Sequence, residues 1–196
     1  TATHYYKVDY ESNETFKAAL ADGHTIETLV KADYSGSLPN KECKPFSSHQ
    51  GGGTGLMLCK TGKGVNGGNE FTFLPYIGES YRYTVSGVTP QPKIFYHVVG
   101  VWNKEEGKTY IYVNGELKGT AEVEGDFKFP SAKSGWFGIG CDPSGNKGNT
   151  SWTGEVAIAR IYNDPLTADQ VAALYKQVDV GVDYSQMLQN TIDSIV

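Results

Sequence analysis

An antiparallel β-sandwich followed by a capped helix is the fold class that three observations predict. About ten short apolar segments are separated by turns rich in Gly, Pro and Asn, the spacing expected of an all-β domain. No strand–helix–strand alternation interrupts them, which excludes a parallel α/β sheet. The composition agrees, with 24 Gly, 13 Tyr, 8 Phe and 3 Trp in 196 residues, whereas a helical bundle would be dominated by Leu and Ala. That length suits one domain. The sandwich is expected over residues 1–177, with 178–196 a linker or a C-terminal amphipathic helix.

The elements follow in chain order. Residues 12–20 form a short helical turn with Phe16, Ala19 and Leu20 on one face, ended by Gly23. His24–Asp33 alternates with period two, placing Ile26, Thr28 and Val30 on one face and Glu27, Leu29 and Lys31 on the other, a strand with one drier side. Pro45–Gln50 and Thr54–Cys59 read as a hairpin around Gly51-Gly52-Gly53. Short strands follow at Glu70–Leu74 and Ser80–Val85. Ile94–Trp102 is a long apolar strand, and Thr109–Lys118 contains Asn114-Gly115, the strongest short hairpin signal, because a type I′ turn needs positive φ at both positions. Gly135–Gly140 and Gly154–Tyr162 are the last strands. Thr167-Ala168-Asp169-Gln170 is a capping box with Leu166 and Val171 at the staple positions, opening a helix to about Gln177. Beyond Gly181, the spacing of Leu188, Ile192 and Ile195 is again helical.

Charge excludes some functions. The net charge is −5, from 17 basic and 22 acidic residues, and the bases are scattered. A nucleic-acid partner would require a basic stripe. No apolar run reaches the ~20 residues of a membrane-spanning helix. The 4 His lie far apart and the 3 Cys form no CxxC pair, so spacing gives zinc no support. Cys43 and Cys59 flank the triglycine and would face each other across the hairpin. This permits a disulfide or two buried thiols, and the unmatched Cys141 favours thiols.

Four segments together resemble the laminin-G-like, concanavalin A-like jelly-roll family. They are His97-Val-Val-Gly-Val-Trp102, Tyr110-Ile-Tyr-Val-Asn-Gly-Glu-Leu117, Trp152-x-Gly-x-Val-x-x-x-Arg-Ile-Tyr-Asn163 and Leu166-Thr-Ala-Asp-Gln-Val171. The resemblance spans about residues 24–177 and implies an antiparallel jelly roll. It also implies a module of a larger exported bacterial-type protein, extracellular, periplasmic or on the cell surface, since relatives are often appended to glycosidases or phosphoesterases. Where relatives often carry Asp-Glu before Val-Arg, this chain has Ala157-Ile158. That acidic pair supports a structural calcium ion in some of them. The catalytic members use a strand of alternating carboxylates, which places a nucleophile and an acid on one face. Glu155 stands alone in its strand here.

The residues offer three candidate sites. Asp142, Asn146 and Asn149 supply side-chain oxygens in one loop, suited to sugar hydroxyls or a hard cation, with a plain turn as the competing reading. Asp142 is the candidate metal ligand, and no cofactor other than a structural calcium ion is expected. Trp152 borders this loop and is the candidate stacking ring, while Trp102 and Trp136 lie in apolar strands and read as core. Tyr34 is a weaker aromatic candidate, as is Tyr76. His49 beside the triglycine is a third ligand-binding candidate, although no helix or Lys-Ser/Thr follows to make a phosphate loop. His97 reads as structural. The expected role is a non-catalytic recognition module for a glycan or polysaccharide. A structural module packing on a neighbouring catalytic domain of the same chain is the second reading, and a glycoside hydrolase the third.

Overall fold

The computed structural model describes residues 5–33, 42–49, 51–59, 69–130, 135–141 and 151–179. It holds thirteen strands and two helices in the order β1 (Tyr6–Asp9), α1 (Glu14–Leu20), β2 (Gly23–Ala32), β3 (Cys43–Ser47), β4 (Gly55–Cys59), β5 (Glu70–Phe73), β6 (Tyr76–Ile77), β7 (Ser80–Tyr81), β8 (Thr84–Val85), β9 (Phe95–Asn103), β10 (Lys108–Val113), β11 (Glu116–Glu122), β12 (Trp136–Ile139), β13 (Gly154–Tyr162) and α2 (Ala168–Asp179). They form a six-stranded sheet, β1-β12-β3-β4-β5-β8, and a five-stranded sheet, β11-β10-β9-β2-β13. Strands β6 and β7 pair separately. All pairing between strands is antiparallel, as the patterning predicts.

Period-two alternation drives the packing. Ile26, Val30, Val98, Trp102, Ile111 and Val113 of one sheet meet Phe46, Leu56, Leu58, Phe71, Phe73 and Phe137 of the other in a single core. Gly100 is required here, because a Cβ at that position would lie 2.2 Å from the Phe73 ring. The hairpin turn has the expected backbone, with φ of 52° at Asn114 and 77° at Gly115.

The outer face of the five-stranded sheet is also apolar. Val99, Val101 and Tyr112 are covered by Val171 of α2 and by Leu166. Two devices fix that helix. Thr167 and Gln170 make the reciprocal capping box, at 2.8 and 3.3 Å. The buried Thr25 hydroxyl donates to the Asp164 carbonyl (2.8 Å) and accepts from the Leu166 amide (2.9 Å), stapling the β13–α2 connection to β2.

Five details depart from the sequence reading. Residues Tyr6–Asp9 form an additional edge strand. The Ser80–Val85 segment splits between β7 and β8, because Tyr81 turns back to pair with Tyr76. Ala19 is exposed and leaves Leu20 as the fully buried contact of α1. Strand β2 keeps its drier face at Ile26, Thr28 and Val30, but Glu27 on the other face is buried as well, with Leu29 and Lys31 half-buried. Cys43 is in register with Leu58 and Cys59 with Glu70, so the two cysteines are offset by one residue and not opposed. Cys43 is a buried thiol.

Candidate functional site

Three places combine chemistry-bearing side chains. The first lies on the outer face of the five-stranded sheet. Glu27 on β2 is the only buried carboxylate among the described residues, at 0% exposure. Register places His97 of β9 and Arg160 and Tyr162 of β13 around it. Glu27 accepts from His97 Nε2 (3.0 Å), the Tyr162 hydroxyl (2.5 Å) and an Arg160 guanidinium nitrogen (3.3 Å). Burial opposes its ionisation, but the His97 and Tyr162 hydrogen bonds and the His97 and Arg160 charges prevail, so its pKa is lowered. The Tyr162 hydroxyl is correspondingly raised, by burial and then by the carboxylate. Tyr175 of α2 stacks on His97 with centroids 5.8 Å apart. His97 is thus structural, as expected, but on an outer face sealed by a helix.

The second lies on the outer face of the six-stranded sheet. Met57 and Leu74 are buried there beneath Tyr81 and Tyr83. The buried Lys44 ammonium pairs with Glu42 (3.2 Å) and donates to His49 Nδ1 (2.7 Å), which places the His49 proton on Nε2. The His49 and Tyr81 rings are 3.8 Å apart. The Gly52 amide donates to the Tyr81 hydroxyl (3.0 Å), so the triglycine loop anchors this packing. His49 is half-buried in it.

The third is open. Strands β1 and β13 are the outermost strands of their sheets, and a cleft of about 380 Å³ lies where these edges meet. Its walls are Tyr6, Ile139, Trp152, Val156, Ala157 and Ala159 with two glycines. Tyr6 is 76% exposed, the most open aromatic ring among the described residues.

Trp152 is at this cleft, beside the loop as the sequence suggests, but it is not an exposed platform. It is 7% exposed, belongs to the core and donates its indole N–H to the Glu155 carbonyl (3.3 Å). Trp102 is core as expected. Trp136 is buried as expected, and it packs against Tyr5, with centroids 6.1 Å apart, and Lys7, whose ammonium lies 5.1 Å from the ring. Tyr76 packs edge-on against Tyr81. Tyr34, Asp142, Asn146 and Asn149 lie outside the described residues. Among the described residues no group of three His, Cys, Asp or Glu could hold a metal ion, and no helix is long and apolar enough to cross a membrane. Glu106, Glu122 and Glu124 share a shallow surface depression with Arg82 and Lys108, but all three carboxylates are exposed and lack the burial that tunes a catalytic acid.

Sequence reasoning missed Tyr6 and the Glu27 cluster. Tyr6 and Val8 alternate with Lys7 and Asp9, a faint strand signal in only four residues. Glu27 was placed on the correct face, and Arg160-x-Tyr162 is a same-face pair on a strand. Only the register joins residues 133 positions apart.

The profile of the concanavalin A-like lectin/glucanases superfamily, in its laminin-G form, matches residues 5–172. The chain belongs to this superfamily. Among curated proteins no sequence matches. The fold is similar to that of the CBM40 carbohydrate-binding module of a Ruminococcus gnavus sialidase, with a TM-score of 0.64 at 16% identity over 89% of this chain and 94% of that one. The same module has been solved bound to α2,3-sialyllactose (TM-score 0.63). Domain 4 of an extracellular arabinanase from Geobacillus stearothermophilus, in complex with arabinotriose, has a TM-score of 0.57 at 18% identity, over 80% of this chain and 69% of that one. A heptameric pentraxin from Limulus polyphemus has a TM-score of 0.55 at 19% identity, over 79% and 70%. Identities this low establish a shared fold, and a fold alone does not assign an activity.

Proposed function

We propose that this domain is a non-catalytic glycan-binding module whose ligand lies in the cleft between β1 and β13. The observation that carries this reading is the exposed Tyr6 ring beside an apolar cleft whose other face is closed by Trp152. Sugar recognition pairs a ring against the apolar face of a pyranose or furanose with polar groups at its rim. The outer strands β1 and β13 supply such groups, because half of an edge strand's backbone N–H and C=O groups turn away from the ladder. Gly140 and Trp152 line the cleft. Larger open depressions lie beside Asp9, Glu11 and Lys17 and beside Arg82, Glu106 and Glu124, but the β1–β13 edge is the one that sets an exposed aromatic ring, Tyr6, beside apolar side chains.

Catalysis is not part of this reading. Hydrolysis of a glycoside needs two carboxylates flanking the sugar, and the buried Glu27 is engaged by three donors. The similar folds of the sialidase module and the arabinanase domain support a role as an accessory domain of a larger exported protein. Affinity of about mM to µM would suffice there, because tethering raises the effective concentration. A glycan array probed with the wild-type domain and with Tyr6→Ala tests the proposal. Hits that disappear in Tyr6→Ala are expected; hits unchanged by the substitution, or none for the wild type, contradict it.

A further inference from the structure

Strand β1 presents an edge that is complementary to itself. It is the outermost strand of the six-stranded sheet, and all four of its residues are exposed, Tyr6 at 76% and Val8 at 53%. On the far side of the sandwich the two sheets close on each other, since a Cβ at Gly119 of β11 would lie 2.1 Å from the Val85 carbonyl oxygen of β8. The ladder with β12 fixes where the β1 backbone groups point. The Tyr10 amide donates to the Gly135 carbonyl (2.8 Å), and Val8 is in register with Phe137. Hydrogen-bonded pairs alternate along an antiparallel ladder, so Tyr6, Val8 and Tyr10 direct their N–H and C=O groups at β12, and Lys7 and Asp9 direct theirs outward. The same two residues carry the charges of the strand. They lie on the face shared with Trp136, with the Lys7 ammonium 5.1 Å from that ring and 3.3 Å from Asp9. An accessible edge with outward backbone groups is a template for another strand.

We infer that the strand taken up by this edge is β1 of a second copy of the chain, the two related by a two-fold axis. Such an axis runs the two copies of β1 antiparallel and makes the contact isologous. The outward groups allow three registers. Lys7 opposite Lys7, or Asp9 opposite Asp9, sets like charges against each other, which is unfavourable directly across a ladder. Lys7 opposite Asp9 of the second copy sets opposite charges together, twice, by symmetry. That register also forms hydrogen bonds at both Lys7–Asp9 pairs and puts Val8 against Val8 at the non-hydrogen-bonded position, where side chains approach most closely. Tyr6 alternates with Lys7 and stays on the cleft side. The proposed binding sites of the two copies therefore open on one side of a continuous sheet, and β13 still offers its own outward groups. Four residues a side make an interface smaller than the ~800 Å² per partner of a stable complex, so a dissociation constant of ~0.1 mM is expected.

The test is sedimentation equilibrium of the whole domain, as wild type and as the variants Lys7→Asp and Asp9→Lys, both at exposed positions, with thermal unfolding to verify that each variant is folded. Wild type should show a concentration-dependent dimer that weakens as salt rises. Each variant alone should associate at least tenfold more weakly, because every register then sets like charges against each other. An equimolar mixture of the two variants should regain the wild-type association, because opposite charges face each other again at both pairs. A wild type that stays monomeric at millimolar concentration, or a dimer that either variant leaves intact, would overturn the inference. Two folded, monomeric variants whose mixture also stays monomeric would overturn it as well. None of these readouts depends on glycan binding, so the inference and the proposed function fail separately.

Discussion

The Glu27 cluster and the β1–β13 cleft are opposites in chemistry and in access. The cluster gathers a carboxylate, an imidazole, a guanidinium and a phenol within hydrogen-bonding distance, a set that in isolation would suggest acid–base catalysis. Its centre is buried: Glu27 and His97 are inaccessible and Tyr175 stacks on the imidazole, while the Arg160 side chain is half exposed. The cleft has no charged wall among the described residues yet opens to solvent beside Tyr6. The difference teaches that density of polar chemistry and open access need not coincide on one surface. An ion pair on an outer sheet face joins β2, β9 and β13, whereas the proposed binding site is the edge where β1 and β13 meet.

Substitutions should separate the two regions. The largest effect is expected from Glu27→Ala, which strands His97 and Tyr162 without their acceptor. Breaking a buried ion pair from one side costs ~3–5 kcal/mol, to be read from urea unfolding, while glycan affinity of the folded fraction stays unchanged. Loss of affinity in that fraction would erase the distinction between the regions.

The next effect is acid sensitivity. His24 is fully buried, donates from Nδ1 to the Leu20 carbonyl (3.2 Å) and accepts at Nε2 from the Thr54 hydroxyl (3.1 Å). Burial pushes its pKa down to about 4. The unfolded chain therefore binds this proton first, at its ordinary value of about 6.5. Stability is whole above pH 6.5 and falls by up to about 3 kcal/mol as pH drops to 4. Glu27 acts in a lower window, because its folded pKa is depressed below the usual carboxylate range; its contribution is lost as pH falls through that folded value. His24→Gln should flatten the upper limb of the stability–pH curve and Glu27→Gln the lower. Loss of the same limb in both variants would show that the two groups are not independent.

Tyr162→Phe removes one hydrogen bond to a charged acceptor and should destabilise by about 2 kcal/mol, measured by the same unfolding transition. Tyr6→Ala lies at the other extreme. Its ring is exposed, so stability should stay within about 0.5 kcal/mol of wild type, read from thermal unfolding, although glycan binding is lost.

The fold was largely legible because it is written in local patterns. Asn114-Gly115, the Thr167–Gln170 capping box and the alternation in β2 and β9 each carry their own geometry. The site was less legible because it depends on relations between distant segments. Trp152 is a candidate stacking ring in the sequence, but it is buried in the core, and its amide is held by the Gly140 carbonyl (2.9 Å), a relation that no local window contains. Tyr6 gains its meaning only from pairing with Ile139, which hangs it over the open edge. The same applies to His49, whose neighbours Lys44 and Tyr81 come from opposite sides of the triglycine turn.

The most direct test is a ¹⁵N–¹H NMR titration of the whole domain with the oligosaccharide that gives the strongest signal on a glycan array. Shift changes should concentrate at Tyr6, Ile139, Gly140, the Trp152 indole and Ala157, leaving Glu27, His97 and Tyr162 unmoved. Changes centred on Glu27 and His97, or on His49 and Tyr81, with a silent β1–β13 edge, would contradict the account.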